Sequence, residues 1–440
     1  MGTVLAVVIL LFAPRAEAFV TQYGFGPAST ELAGMTAAGP SDAFSAYLNP
    51  ARLGDGLSED HRFRATWGLE YLHADFTPIT NIVINSPVIS GVSGPVVGNY
   101  DASVPDGFGQ WLGVEYLVTP FWNLTVGAAA FLPLNGLAQL DTGPIYQPSY
   151  VLYGSSWQVP KVVLSAGVQP APWLRFGLGA SVNFAATANV DLYLQASDGT
   201  ASDQRVQEVL TPTIAPLMGL DIDTGFGHVG LTVRAQSVTT VTLNTSASAR
   251  VFGDLQAAID FGYLSTASLD FEPWSFELGY RFPELAGLIT PMIQVSYQMW
   301  KEMQLPEASI NNSSQFQPTL TPDVVFQDIF VITAGAEFRI GSVIARIGYT
   351  YRPSIFADLP SDVGNLIDPD RHLVGLGVSI PLTDKLTLDV DGQFQYLVPD
   401  NVVKTPGDEF GNESGEKIGA PGYPIGGFVY GGGLSISYTP

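Results

Sequence analysis

The apolar residues of this chain recur at every second position, and nowhere do they run together far enough to cross a bilayer as a helix. Leu386, Leu388, Val390, Phe394 and Tyr396 share one face of an extended segment, while Thr387, Asp389, Asp391, Gln393 and Gln395 share the other. The same alternation returns in Phe63/Ala65/Trp67/Leu69/Tyr71, Val229/Leu231/Val233, Phe276/Leu278/Tyr280/Phe282, Ile293/Val295/Tyr297 and Ala345/Ile347/Tyr349/Tyr351. Weaker copies lie near 110–118, 124–132, 162–168, 174–184, 214–222, 332–340, 374–380 and 428–438, which makes fourteen segments in all. After residue 18 no stretch approaches the ~18 apolar residues of a spanning helix, so helical spans are excluded.

Short turn-rich connections at 120–123, 170–173, 223–227, 340–342 and 381–384 alternate with long polar or Pro/Gly-rich ones at 77–107, 134–156, 304–324 and 399–425. Without water to satisfy backbone groups, strands cross a bilayer only as a closed barrel, and an even strand number returns both chain ends to one side. The expectation is an all-β fold, a 14-stranded antiparallel transmembrane β-barrel. A soluble β-sandwich also alternates, but two features count against it. Trp67, Tyr71, Trp122, Trp173, Tyr280, Tyr351, Tyr396 and Tyr438 sit at strand ends, where interfacial girdles belong. Charged residues are only 13% of the chain, about half the ~25% of soluble domains.

The charge balance is 18 Lys+Arg against 41 Asp+Glu, a net of −23, which leaves no basic face for nucleic acid. Zero cysteine removes disulfides, thiolate nucleophiles and Cys-ligated metals together. His61, His73, His228 and His372 are scattered with no metal-ligand spacing, and no nucleophile elbow is present. No cofactor, no metal site and no enzyme are therefore expected. An outer-membrane lipase barrel would have only Ser379 with His372 to work with, and the acidic run Asp408, Glu409, Glu413 and Glu416 reads as a solvated loop.

Val4 to Ala13 is a short apolar run followed by Ala16-Glu17-Ala18, the pattern of a signal peptide over 1–18 with the mature chain starting at Phe19. Met1-Gly2-Thr3 lacks the usual positive charge, which an upstream start codon would explain. Residues 19–59 carry Gly24, Gly26, Ala28, Gly34, Ala37, Ala38 and Gly39 and do not alternate. Small residues at this density allow close packing against surrounding walls, as in a plug inside a barrel spanning 60–440.

Gly24-x-Gly26 followed by Asp42-Ala43-x-Ser45-Ala46-Tyr47-x-Asn49-Pro50-Ala51 resembles the N-terminal hatch of the FadL family of outer-membrane transporters for long-chain fatty acids and aromatic hydrocarbons. The resemblance continues through Gln294-Val295-Ser296-Tyr297-Gln298-Met299-Trp300 and Asp368-Pro369-Asp370-Arg371-His372-Leu373 and spans the mature chain in order. Arg52 stands where many relatives have Gly, and Thr439-Pro440 follow the expected terminal aromatic Tyr438. The resemblance implies fourteen strands, the hatch motif Asn49, Pro50 and Ala51, and a kinked third strand opening the wall toward lipid. The matching strand holds Gly127, Ala128, Ala129 and Ala130, residues that pair weakly. It further implies passive uptake of hydrophobic molecules, foremost long-chain fatty acids, in the outer membrane of a Gram-negative bacterium. Partners would be the hydrophobic substrate, outer-membrane lipids with lipopolysaccharide, and the barrel assembly machinery. A general porin or an adhesin-like structural barrel is the alternative.

Apolar residues where water is expected mark such a function. Residues 251–264, with Phe252, Ile259 and Phe261, and the loop 144–157 are candidate capture surfaces. Phe25, Trp300 and Arg352 complete the candidate substrate-binding set. By parity Arg62, Arg64, Arg175, Arg234, Arg281, Arg339, Arg346 and Arg352 point inward, beside Glu70, Glu115, Glu277, Glu337, Asp389 and Asp391. Ion pairs between hatch and wall are the expected use of most of them.

Overall fold

The computed structural model describes residues 24–87, 93–134, 146–153, 160–195, 203–250, 258–303, 307–311, 324–413 and 415–440. The signal-peptide expectation and Phe252 lie outside these residues. Fourteen strands close on themselves in chain order: β1 (Phe63–Phe76), β2 (Gly107–Thr119), β3 (Leu124–Pro133), β4 (Lys161–Ala171), β5 (Leu174–Gln195), β6 (Asp203–Asp223) and β7 (His228–Arg234) make one half. β8 (Ser275–Arg281), β9 (Ile289–Gln298), β10 (Ile329–Ile340), β11 (Val343–Arg352), β12 (Arg371–Pro381), β13 (Leu386–Val403) and β14 (Gly422–Tyr438) make the other. Each strand pairs antiparallel with its neighbours, and β1 closes the ring by pairing β14 from Ala65↔Tyr438 to Phe76↔Gly427. Closure leaves no sheet edge, the condition for strands in lipid.

All fourteen alternating segments of the sequence are barrel strands. Two hairpins run further than the alternation suggested. Ser237–Arg250 continues β7, Ala258–Glu272 leads into β8, and Val241 to Arg250 lies parallel to Ala186 to Gln195 of β5. Ile259 and Phe261, expected in a capture loop, thus lie on a strand paired with Ala249 and Ala247; their side chains are outside the description.

Alternation sorts the side chains as the period requires. Leu164, Leu278, Leu376 and Leu434 project outward and are more than half exposed, while Ser165, Glu277 and Ser435 beside them are buried inside. Aromatic contacts between neighbouring strands, His73–Tyr430, Tyr396–Phe428, His372–Tyr396 and Tyr297–Phe330, trace an interfacial belt near the long-loop end. At the short-turn end Phe121 stacks on Trp122 and Trp173 is exposed. The outer surface is an apolar band between aromatic rims, as lipid demands.

Candidate functional site: hatch, lumen and wall

Residues 24–55 sit inside the barrel, and the wall is cut away to receive them. Asn49-Pro50-Ala51 seats in a notch of three glycines facing one another across three strands, Gly167↔Gly177↔Gly219. A Cβ on Gly177 would lie 2.2 Å from the Pro50 carbonyl carbon, and one on Gly219 would lie 2.1 Å from Asn49 Oδ1. Further round, Gly230 meets the Ala37 carbonyl and Gly348 meets the Leu32 backbone just as closely. These inward glycines were legible as the small members of the alternation, and their spacing on successive strands was the signal that parity alone did not use.

The motif holds itself by hydrogen bonds. Asn49 Oδ1 accepts from Ala51 N (3.1 Å), capping the turn Pro50–Arg52, and Asn49 Nδ2 donates to the carbonyls of Ala37 and Leu220 (both 3.4 Å). Replacing Asn49 and Pro50 together by Ala should cost about 1–2 kcal/mol of hatch docking, lowering uptake severalfold while the barrel stays folded and heat-modifiable. Unchanged uptake at equal surface abundance would count against the motif as the hatch's seat.

Charge fastens the rest. Arg346 Nη1 donates to Glu31 of the hatch (2.6 Å) while its Nε donates to Glu337 (3.0 Å), which Arg281 also reaches (3.2 Å). Arg234 pairs with Glu277 (2.6 Å) and donates to the carbonyls of Tyr47 and Leu48 at the end of the short helix Ser45–Leu48. At the short-turn end Arg64 pairs with Glu115 (3.1 Å), which accepts from Gly54 N, and Arg175 pairs with Asp55 (2.9 Å). Six of the eight arginines assigned inward by parity therefore face the lumen. Arg62 and Arg339 do not: at the strand ends parity no longer points into a lumen, so Arg62 donates to the Glu59 carbonyl and Arg339, largely exposed, pairs with Glu284.

Three apolar clusters share the interior among the described residues, the smallest being Leu32, Met35 and Ala38 of the hatch with Met292 of the wall. Phe25, fully buried, packs against Phe44, Tyr47 and Trp111 between hatch and wall, with ring centroids 4.3–6.1 Å away. It does not join Trp300 and Arg352, which lie in a roof made by the long loops. There Ser149–Tyr150 and Leu366–Ile367 form a parallel bridge, and Tyr150, Leu152, Phe271, Trp300, Ile355 and Ile367 are all but fully buried. Burial pushes the Tyr150 phenol above its usual range, and its hydroxyl donates to Gly426 O (3.0 Å).

Beneath the roof the Arg352 guanidinium lies 5.6 Å from the Trp300 ring and pairs with Asp368 (2.9 Å). Its Nε and Nη2, and Nε of Arg371, have no hydrogen-bond partner among the described residues, although both residues are buried. They line a cavity of about 40 Å³ with Gln298, Thr333, Thr350 and the hatch residue Gly34, several times the ~10–15 Å³ that one water requires. Arg371 escaped the sequence reading because it begins a strand after a long loop, where parity has no reference.

The third strand differs from the kinked one that the resemblance implied. β3 is paired without interruption, Thr125 to Phe131 against β4 and Leu124 to Pro133 against β2, with the only register shift at Leu117/Thr119 of β2. The small residues act differently: outward Ala128 faces Leu164, which faces Ala180, and inward Gly127 faces Ser165, which faces Gly179. This thin row floors a depression of about 640 Å³ in the outer face, rimmed by Val114, Tyr116, Val126 and Leu178, with Leu53 of the hatch directly behind Gly127.

No protein-family model matches the sequence, and no curated protein matches it. Solved structures do. A FadL homologue from Pseudomonas aeruginosa superposes with a TM-score of 0.60 at 12% identity, over 94% of this chain and 98% of its own. The chain has the FadL fold. The toluene transporter TodX of P. putida (TM-score 0.55, 13% identity, 95% of this chain and 99% of its own) and the toluene transporter TbuX of Ralstonia pickettii (0.55, 14%, 95% and 99%) share it.

Proposed function

We propose that the protein is an outer-membrane channel for passive uptake of hydrophobic small molecules, most specifically long-chain fatty acids. One observation carries this reading: the upper lumen, which a water-filled porin would line with polar groups, is a buried apolar cluster closed below by a hatch. The relatives of like fold named for toluene transport support the hydrophobic class. Capture at the long loops would deliver a molecule to the roof, its head to the Arg352–Arg371 cavity, and its exit to the bilayer beside β3, where the wall is thinnest. The localisation, the lipid and lipopolysaccharide surroundings and assembly by the barrel machinery follow from the same reading.

Uptake of a fluorescent long-chain fatty acid into cells expressing the protein, together with negligible conductance in planar bilayers, is the expected pair of results. Steady ion conductance would favour the porin alternative. The anionic head has a sharper test. Arg371→Met removes a donor without stranding a paired acid, and loss of a charge-assisted hydrogen bond of about 1.5–3 kcal/mol should weaken fatty-acid binding roughly tenfold or more. Binding of an alkane of equal length should not change; if both ligands weaken alike, the cavity does not read the head.

A further inference from the structure

Lys404, buried directly after β13, donates to the carbonyls of Pro360 (2.9 Å), Asp362 (3.2 Å) and Gly364 (2.6 Å). An ammonium has three protons, and three carbonyls at alternate positions of one loop take them. Beside this cradle Thr405 N donates to Ser361 O (2.8 Å), and Lys417 pairs with the Asp362 carboxylate (3.0 Å). The chain then enters the roof. Asn365, buried, donates Nδ2 to the carbonyls of Tyr146 and Ile418 and accepts from the Tyr423 hydroxyl (2.7 Å). Leu366–Ile367 make the bridge to Ser149–Tyr150, and Asp368 Oδ2 accepts from Arg352 Nη1 (2.9 Å) and Ile355 N (2.8 Å). Asp368 thus takes Nη1 and leaves Nε and Nη2 of Arg352 to the cavity. The bridge joins one loop to another, whereas Lys404 follows Val403, which pairs with Gly422 of β14, and so ties the segment to the wall.

We infer that Lys404 is a positioning residue for the acid head: its ammonium, a tethered cation in a cradle of loop carbonyls, holds 360–364 so that Asp368 stays on Arg352 Nη1. The inference rests on the uptake reading above and names what prepares its head-group cavity. Carbonyl oxygens that converge on one point repel one another unless a cation sits among them, and buried carbonyls without a partner are costly. The cradle therefore opens when its cation is removed. Asp368 lies four residues after Gly364, so its carboxylate loses its fixed place and competes for Nε and Nη2. An entering carboxylate then meets a second negative charge at the same guanidinium, whereas an uncharged alcohol of equal length meets no such repulsion. Lys404 itself touches no substrate; it acts through Asp368.

Purified barrels would be titrated with oleate and with oleyl alcohol. In Lys404→Ala oleate should bind roughly tenfold more weakly, the scale of one charge-assisted contact, and oleyl alcohol as in the parent. Propylammonium, which has the atoms the substitution removes, should restore oleate binding, and propanol should not. Amide exchange over 360–368 should quicken in Lys404→Ala and slow again with propylammonium. Equal weakening of acid and alcohol, or oleate binding that propylammonium fails to restore, would overturn the positioning role. In an Asp368→Asn background Lys404→Ala should change oleate binding little, because no charge is left to compete; an undiminished loss there would overturn it as well. If Lys404→Ala does not fold, Lys404→Gln keeps the stem and two donors and should weaken oleate alone, and equal weakening of both ligands overturns the proposal equally. Parent barrels that bind neither ligand, while exchange over 360–368 still answers Lys404→Ala and propylammonium, would sink the uptake reading and leave the hold of Lys404 on its loop standing.

Discussion

Replacing Arg346 by methionine should turn a silent barrel into a conducting one. Its guanidinium is the cation that reaches Glu31, the fully buried acid of the hatch, and it binds Glu337 and Ser379 of the wall as well. Removing one partner of a buried pair strands the other, at a cost of about 3–5 kcal/mol. Since ~1.4 kcal/mol is tenfold in a population, a displaced hatch should become roughly a hundred- to a thousandfold more frequent. Glu337 keeps Arg281, so the wall retains its own pairing. Current through single barrels in planar bilayers would show long open events in Arg346→Met and few in the parent. Arg346→Met/Glu31→Leu should close the barrel again, because replacing both charges by apolar groups of similar size is close to neutral. A variant as silent as the parent would place the hold on the hatch elsewhere, in the Arg234–Glu277 and Arg175–Asp55 pairs.

The barrel was legible because a period of two has few physical explanations. Leu386 to Tyr396 alternates cleanly since one face meets lipid and the other meets the lumen, so every strand repeats the same demand. The hatch was legible from what it lacks, alternation, and from its small residues. Other features depend on contacts between distant segments, and no local pattern announces them. Tyr150 and Ile367 lie far apart in sequence, and only the fold brings their loops down into the lumen as a bridge. Gly177 and Gly219 look like interruptions of strand propensity until Pro50 and Asn49 are seen against them. Lys161 begins a strand after a long loop and Glu272 ends the strand Ala258–Glu272, and their pairing could not be read from either strand alone. The kink expected at Gly127 to Ala130 does not interrupt the pairing, because small residues weaken packing without breaking a ladder whose amides and carbonyls still have partners.

That last point decides how exit can work. With β3 hydrogen-bonded on both sides from Thr125 to Phe131, no molecule passes between the strands until part of the ladder opens. The easiest place is where side-chain packing adds least to the pairing, the row through Ala128 and Gly127, because cross-strand contacts of large side chains supply roughly 0.2–1 kcal/mol each and Ala or Gly supply little. Leu53 of the hatch sits behind Gly127, so hatch displacement would also remove the backing of that stretch. Joining β3 to β4 should therefore block transport and spare binding. Cysteines at Ala128 and its register partner Leu164, bridged by a short thiol reagent in this Cys-free chain, would hold the strands at their resting spacing. Fatty-acid uptake should then fall more than tenfold and return on cleavage of the bridge, while equilibrium binding to the purified barrel stays the same. The same bridge between Leu376 and Ile347, partners on the opposite wall, should leave uptake untouched. If the Ala128–Leu164 barrel transports as fast bridged as cleaved, the substrate leaves downward past the hatch, and the thin row in the wall is only the seat that Leu53 requires.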